Sequence, residues 1–234
     1  LVVVSKEEYI YKYDVIDNLC NNGTLFLNTK LDSNTLVKSL PNKIKYLLAK
    51  KKVNFYTIDA YKFVNERGLK NKISTCMEIC IFDIIKLIDT NEVIEIMKDN
   101  NKKRFSHKGD AVIDINNKIV EEAIPNMHKI NVDDSWINLP YTERKDLSFD
   151  ETIGLLRGNE LPVSSFLDKK NGIYPGGTTK YEKRDIAENV PCWIKENCIE
   201  CNQCAFVCPH GVIRPYLLDN DDKFDKSIPS MLPK

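Results

Sequence analysis

No run of this sequence is apolar for the roughly 18 residues that a membrane-spanning helix needs. It has no excess of charge either: Lys+Arg and Asp+Glu are both 34, for a formal net charge of +0. A balanced chain gives no electrostatic reason to expect nucleic acid or an anionic membrane as partner. There is no G-x-G-x-x-G, no P-loop and no internal repeat, so the glycine-rich phosphate cradles and the solenoid folds have no support. The three histidines, His107, His128 and His210, are scattered, and no Ser/His/Asp grouping stands out. The opening "LVVVSKEEYIYKYD" lacks a basic start and turns polar after four residues, unlike a secretory signal. Because it has no initiating Met and begins inside an apolar run, a piece of a longer chain, or a processed one, is expected.

What is present is ordinary in bulk: 42% hydrophobic and 29% charged residues in 234, enough for one or two domains with a sizeable core. "LVVV" at 1–4, "GTLFLNT" at 23–29 and "VNFYTIDA" at 53–60 read as strands. A mixed helical pattern covers 9–20 and stops at "NNG". "SNTLVKSLPNKIKYLLAKKK" opens on the capping types Ser33 and Asn34 and reads as one or two helices broken near Pro41. "YKFVNERG" closes on Gly68, and "STCMEICIFDIIKLI" (74–88) and "NEVIEIMKDNNKKRF" are further helices. Strands alternating with helices predict an α/β unit with an open, mostly parallel sheet over 1–125. From 126 to 190 the chain is punctuated by Pro140, Pro162 and Pro175, with a turn-rich "PGGTT", and reads as an extended linking region. A third unit opens at about 191.

That unit carries the sharpest feature, "CIECNQCAFVCP". Cys198, Cys201, Cys204 and Cys208 follow the spacing C-x2-C-x2-C-x3-C-P. Three thiolates three residues apart let one compact loop wrap three corners of a [4Fe–4S] cube. In two-cluster ferredoxins the fourth cysteine of this run ligates the other cluster. Cys198, Cys201 and Cys204 are therefore expected on a first cluster and Cys208 on a second. Residues 209–234 contain no further cysteine, so the rest of the second set is expected elsewhere, or the loop holds a single cluster with all four thiols or with Cys192. The competing reading is zinc, whose ribbons use two C-x2-C pairs roughly 15–20 residues apart; the close spacing argues against it. Disulfides are disfavoured because nothing points to secretion. Cys76 and Cys80, four apart on an apolar helix, read as packing; Cys20 has no partner by spacing. His210, inside the loop, is positioned to tune a cluster or to sit as a surface imidazole.

Several stretches together, "KYDVIDNLCNNGTLFLNT", "KVNFYTIDAYKFVNERGLKNKISTCM", "GNELPVSSF" and "GGTTKYEKRDIAENVPCWIKENCIECNQCAFVCPHGVIRP", resemble the middle of the pyruvate:ferredoxin (flavodoxin) oxidoreductases across essentially the whole chain. The resemblance implies a γ-type α/β domain at 1–125, a linking region at 126–190 and the first half of a ferredoxin-like α+β domain at 191–234. It implies an enzyme that decarboxylates pyruvate with thiamine diphosphate and Mg²⁺ and transfers the acetyl group to coenzyme A. Electrons pass through [4Fe–4S] clusters, two in the ferredoxin-like domain and a third near the thiamine, to ferredoxin or flavodoxin. The thiamine and pyruvate domains are not in this sequence, so the chain alone is expected to be inactive. The γ-type domain is implicated in coenzyme A binding, which implies contacts at Asn28, Lys51 and Lys52, where two adjacent ammonium groups suit nucleotide phosphates. The chain departs from the family at "NKIST", with Asn71, Lys72 and Ser74 in place of a "GGR[IV]NT" pattern. It departs again at Cys192, which stands where a small apolar residue is usual and reads as packing beside Trp193. A homodimer and a cytoplasmic or anaerobic-organelle location are the further implications. The alternatives are a pyruvate:NADP oxidoreductase or another iron–sulfur oxidoreductase, and a non-catalytic zinc module.

Overall fold

A computed structural model of the protein describes residues 1–143, 145–174, 176 and 191–216. The "GTTKYEKR" stretch and the tail from 217 lie outside the described residues. The chain divides into two units, Leu1–Ile186 and Ala187–Lys234.

In the first unit, three parallel strands, β1 (Val2–Val4), β2 (Thr24–Asn28) and β3 (Asn54–Ile58), lie side by side in chain order. A fourth, β4 (His128–Ile130), pairs antiparallel with β3, so that Tyr56 faces Lys129. Strand residues point alternately to the two faces. On one face, Leu25, Leu27 and Phe55 join Val4, Ile10, Ile16 and Leu48, covered by α1 (Tyr9–Lys12), α2 (Ser33–Ser39) and α3 (Asn42–Lys50). On the other, Phe26 and Ile58 join Phe63, Ile79, Met97 and Ile119 from α4 (Ala60–Glu66), α5 (Ser74–Ile85), α6 (Thr90–Phe105) and α7 (Asp110–Glu122). Helices on both faces of a mostly parallel sheet make this an α/β unit, as the alternating pattern predicts.

Local chemistry sets the element ends. Asp32, not Ser33 or Asn34, caps α2: its Oδ1 accepts from Asn34 N at 3.0 Å and Thr35 N at 3.1 Å, leaving Ser33 as the first helical residue. Pro41 separates α2 from α3, because its ring disfavours helical backbone at the residue before it. Of the helix expected over 9–20, only Tyr9–Lys12 forms. The chain then turns so that Ile16 and Leu19 reach the core, both nearly fully buried. Gly23 sits where the chain turns into β2; a Cβ there would lie 2.8 Å from the Cys20 carbonyl oxygen, closer than packing tolerates.

Several elements among the described residues have no counterpart in the sequence pattern, α7, β4 and α8 (Phe149–Gly154) among them. Helix α7 follows Gly109 (φ 88°) and buries Asn116 on its inner face. Thr75 Oγ1 donates to Asn116 Oδ1 at 3.2 Å, and Asn116 Nδ2 donates to the Val112 carbonyl at 2.8 Å; buried amides are tolerated when bonded in this way. Strand β4 lies beyond residue 125, where the sequence reads as linking. Ile130 enters the first core, and Val132 and Trp136, the latter in a 3₁₀ turn at Asp134–Asn138, pack against that core. Asn42 Nδ2 then donates to the Pro140 carbonyl at 3.0 Å, and Tyr46 packs against Tyr141. Helix α8 opens on a capping box between Ser148 and Glu151.

Candidate metal centre

In the second unit, a 3₁₀ turn at Lys195–Asn197 delivers Cys198, and a short helix, α9 (Gln203–Val207), carries Cys204 and stops at Cys208. Glu200 (φ 62°) and Asn202 (φ 58°) flank Cys201 in the left-handed region. Two left-handed residues so close together curl the backbone tightly, which costs on the order of 1–2 kcal/mol each for a non-glycine residue. Cys201 and Cys204 are exposed and Cys198 and Cys208 partly so, all as free thiols. Backbone N–H groups of Ile213, Val212 and His210 beside the Cys208 sulfur hold its pKa below the ordinary thiol value, while Gly211 N donates to the Cys208 carbonyl at 3.2 Å. Gly211 is itself left-handed at φ 61°, which turns the chain back over the sulfur. A depressed pKa favours thiolate, the form that binds metal.

Among the described residues no three His, Cys, Asp or Glu side chains gather at metal-ligating distance. Thiolates repel one another, and metal binding is what draws such ligands together. The donor set itself fits an iron–sulfur cluster: four thiols within eleven residues, all exposed or partly exposed. Cys192 and Trp193 are exposed within this unit rather than packed. The packing role expected of Cys192 is not seen among the described residues. Phe206 is 92% exposed and Ile199, Val207 and Val212 are exposed with it, so the described loop does not bury its own apolar side chains.

The residues implied for coenzyme A do not form one site. Asn28 is 2% exposed and lies at the carboxyl end of β2. Its Nδ2 donates to the Ser5 carbonyl at 3.0 Å, while its Oδ1 accepts from Ala60 N at 2.9 Å. Its amide ties β1 and β2 to the start of α4. Lys51 sits at the other end of the sheet, just before β3. Its ammonium donates to three carbonyls, Ile16 at 3.0 Å and Asp17 and Leu19 both at 2.8 Å. An ammonium has three protons, so Lys51 closes the 16–19 turn with all of them. Only Lys52, exposed and left-handed at φ 50°, faces an open cleft, of about 490 Å³, shared with Val53, Lys129, Ile130, Val132 and Asp134. Lys129 was missed by sequence reasoning, because a three-residue strand gives no periodicity to mark it. In the divergent "NKIST" loop, Asn65 and Asn71 bond each other: Asn65 Nδ2 donates to Asn71 Oδ1 at 2.8 Å and Asn71 N donates to Asn65 Oδ1 at 2.7 Å. Ser74 begins α5.

Cys76 and Cys80 share the buried side of α5, both 0% exposed. Contact with Cys76, and then burial, push the Cys80 thiol far up. They are core thiols, as their spacing predicts.

Comparison with known proteins places three family models along the chain. A model described as pyruvate ferredoxin/flavodoxin oxidoreductase matches residues 1–125, a 4Fe-4S binding domain matches 191–214, and a domain of unknown function, EKR, matches 151–187. The chain is 37% identical over 225 residues to the pyruvate:ferredoxin oxidoreductase of Moorella thermoacetica, covering 93% of this chain and 19% of that protein. It is 34% identical over 226 residues to the pyruvate-flavodoxin oxidoreductase of Klebsiella pneumoniae, with 93% and 19% covered. It is 33% identical over 253 residues to the pyruvate dehydrogenase [NADP(+)] of Cryptosporidium parvum, with 93% and 13% covered. The chain thus spans about a fifth or less of the length of these relatives.

Proposed function

The chain belongs to the pyruvate ferredoxin/flavodoxin oxidoreductase family, and from that premise we propose that it is the electron-transferring middle of an enzyme of this type. The single observation that carries the reading is the run Cys198, Cys201, Cys204, Cys208 within the stretch matching a 4Fe-4S binding domain. Cys198, Cys201 and Cys204 hold a first [4Fe–4S] cluster, and Cys208 contributes to a second. Bound there, the clusters supply one-electron transfer at low potential. The role of this chain's residues is to present thiolates from a curled loop. The peptide N–H groups over Cys208 stabilise charge on its sulfur.

The complete enzyme converts pyruvate and coenzyme A to acetyl-coenzyme A and CO₂. That oxidation releases two electrons, which leave one at a time for ferredoxin or flavodoxin, as the names of the Moorella and Klebsiella relatives have it. Thiamine diphosphate and Mg²⁺ belong to domains outside this sequence. Coenzyme A docking by this chain rests on Lys52 alone of the three residues implied, with Lys129 beside it at the cleft. A homodimer and a cytoplasmic or organellar site complete the reading; the Euglena gracilis relative is named as mitochondrial. No helix among the described residues is long and apolar enough to cross a membrane. A second reading, the core of a pyruvate:NADP oxidoreductase, is favoured by the Cryptosporidium and Euglena relatives.

Anaerobic purification with iron, sulfide and zinc assayed on one sample tests the proposal. Iron and sulfide in equal amounts, near a whole cluster per chain, with a brown colour, support it. One zinc and no sulfide would mean a structural zinc module instead.

A further inference from the structure

We infer that the opening of the segment of unknown function, through residue 160, is a charged clasp that fastens the chain after the sheet onto the turn at Asp14, with Arg157 as its pin. Nothing in the family description of residues 151–187 assigns that segment a task.

Asp14 is only 12% exposed. Its Oδ1 accepts from Lys43 Nζ at 2.5 Å. Its Oδ2 is buried and has no hydrogen bond, and the charge it faces is Arg157 Nη1 at 3.7 Å. A buried carboxylate oxygen is costly unless a positive charge stands against it, and Arg157 arrives from more than a hundred residues away to supply one. The contact is not of side chains alone, since Asp14 N donates to the Leu155 carbonyl at 3.3 Å. The guanidinium, 18% exposed, is itself aimed: Nε and Nη2 donate to the Glu160 carboxylate, Nη2 at 2.7 Å, and Glu143 Oε1 lies 3.6 Å from Nη2. Lys43 Nζ also lies 3.3 Å from Asp17. Two cations thus serve four carboxylates, Asp14 and Asp17 from the sheet domain, Glu160 from the segment and Glu143 from the chain just before it.

The backbone carries a cost at the same place. Leu156, next to the pin, is left-handed at φ 64° and 57% exposed. It closes α8 in a Schellman turn, Leu156 N donating to the Ile153 carbonyl and Arg157 N to the Thr152 carbonyl, both at 3.0 Å, and this turn swings Arg157 back towards Asp14. At Gly158 a Cβ would come within 3.1 Å of Ile153 Cδ1, so the return after the pin is tight as well. The capping box at Ser148–Glu151 and the buried Thr152, whose hydroxyl donates to the Ser148 carbonyl at 2.8 Å, make α8 a firm arm for the pin. An oxygen without a hydrogen bond, a guanidinium standing against it and a capped arm meet at one ion pair.

Hydrogen–deuterium exchange on the full-length protein, read by mass spectrometry of peptides covering 9–19 and 145–160, tests the clasp. Arg157→Ala and Asp14→Asn should each speed exchange of both peptides by roughly fivefold, leaving β2 and β3 protected. The double variant should be no faster than the worse single one, because both remove the same contact. Leu156→Gly, which relieves the backbone without removing the pin, should slow exchange or leave it unchanged. Arg67→Ala, which breaks the separate pair with Glu122, should not affect these peptides. Unchanged exchange in Arg157→Ala would overturn the inference. So would equal loss of protection in β2 and β3, since the segment would then be part of the core and not a clasp on it.

Discussion

The Lys51 ammonium lies 2.8 Å from the carbonyl oxygen of Leu19. With the Ile16 and Asp17 carbonyls it forms a three-point seal on the turn that carries two core side chains. Sequence alone shows two adjacent lysines and invites one role for both. The structure divides them: one ammonium is bonded inward and the other faces water. Lys51→Ala should therefore destabilise the domain by about 2 kcal/mol, the scale for losing charge-assisted bonds to otherwise unsatisfied carbonyls, as read by the urea midpoint. Lys52→Ala should leave that midpoint within about 0.5 kcal/mol. If coenzyme A docks at the Lys52 cleft, Lys52→Ala raises the KM for coenzyme A in the full-length enzyme and Lys51→Ala does not. The reverse pattern would remove Lys52 from the site.

Six of the eight thiols should separate into two classes towards an alkylating reagent. Cys76 and Cys80 are buried, and Cys80 is held protonated by its contact with Cys76 and by burial. The thiolate is the reactive form, so both should stay unmodified in the native, cluster-free protein and react only in denaturant. Cys20, Cys192, Cys201 and Cys204 are exposed and should react within the first minutes. Mass spectrometry of the peptide holding Cys76 and Cys80 decides it: native labelling there would mean that α5 opens readily.

That division was legible in the sequence because four-residue spacing on an apolar helix already puts both thiols on one side. The three parallel strands were legible for the same kind of reason, as short apolar runs between turn residues. Helix α7 was not. Its inner face carries Asn116, which breaks the apolar stripe; its amide is satisfied by the Val112 carbonyl one turn back and by Thr75, on another helix and distant in sequence. Strand β4 was not legible either, since three residues with one inward side chain become a strand only by pairing with β3. In the candidate site the ligand cysteines are local in sequence and were found there. The fates of Asn28 and Lys51 depend on partners more than twenty residues away and could not be read from their neighbours.

Acid should weaken the cap of α2 only below the ordinary carboxyl range. Thr35 donates to Asp32 through its hydroxyl and its amide, and Asn34 through its amide, holding the carboxyl below its ordinary value of 3.8. A group with a depressed native pKa contributes stability that is present above the unfolded value and lost as pH falls through the native one. Asp32→Asn keeps a capping side chain but has no proton to gain. Its urea midpoint should fall less steeply than that of the wild type between about pH 4 and about pH 2. Identical slopes would show that the cap is not part of the acid response.

The two-cluster division of the cysteine loop can be separated from a single-cluster site by two substitutions in the full-length enzyme. Cys201 is flanked by the two left-handed residues at the tightest part of the loop, while Cys208 stands beyond α9 under its own set of peptide N–H groups. If Cys198, Cys201 and Cys204 share a cluster and Cys208 serves its neighbour, Cys201→Ser should abolish one reduced-cluster signal in electron paramagnetic resonance and leave the other. Cys208→Ser should do the converse, shifting or losing the second signal while most of the first persists. A serine oxygen can stand in for a thiolate only weakly, because iron–sulfur clusters favour soft ligands. The contrast should therefore be visible at the level of whole signals, without resolving small shifts. Loss of the same signal in both variants would place all four thiols on one cluster. The peptide groups over Cys208 would then be stabilising the fourth corner of the same cube.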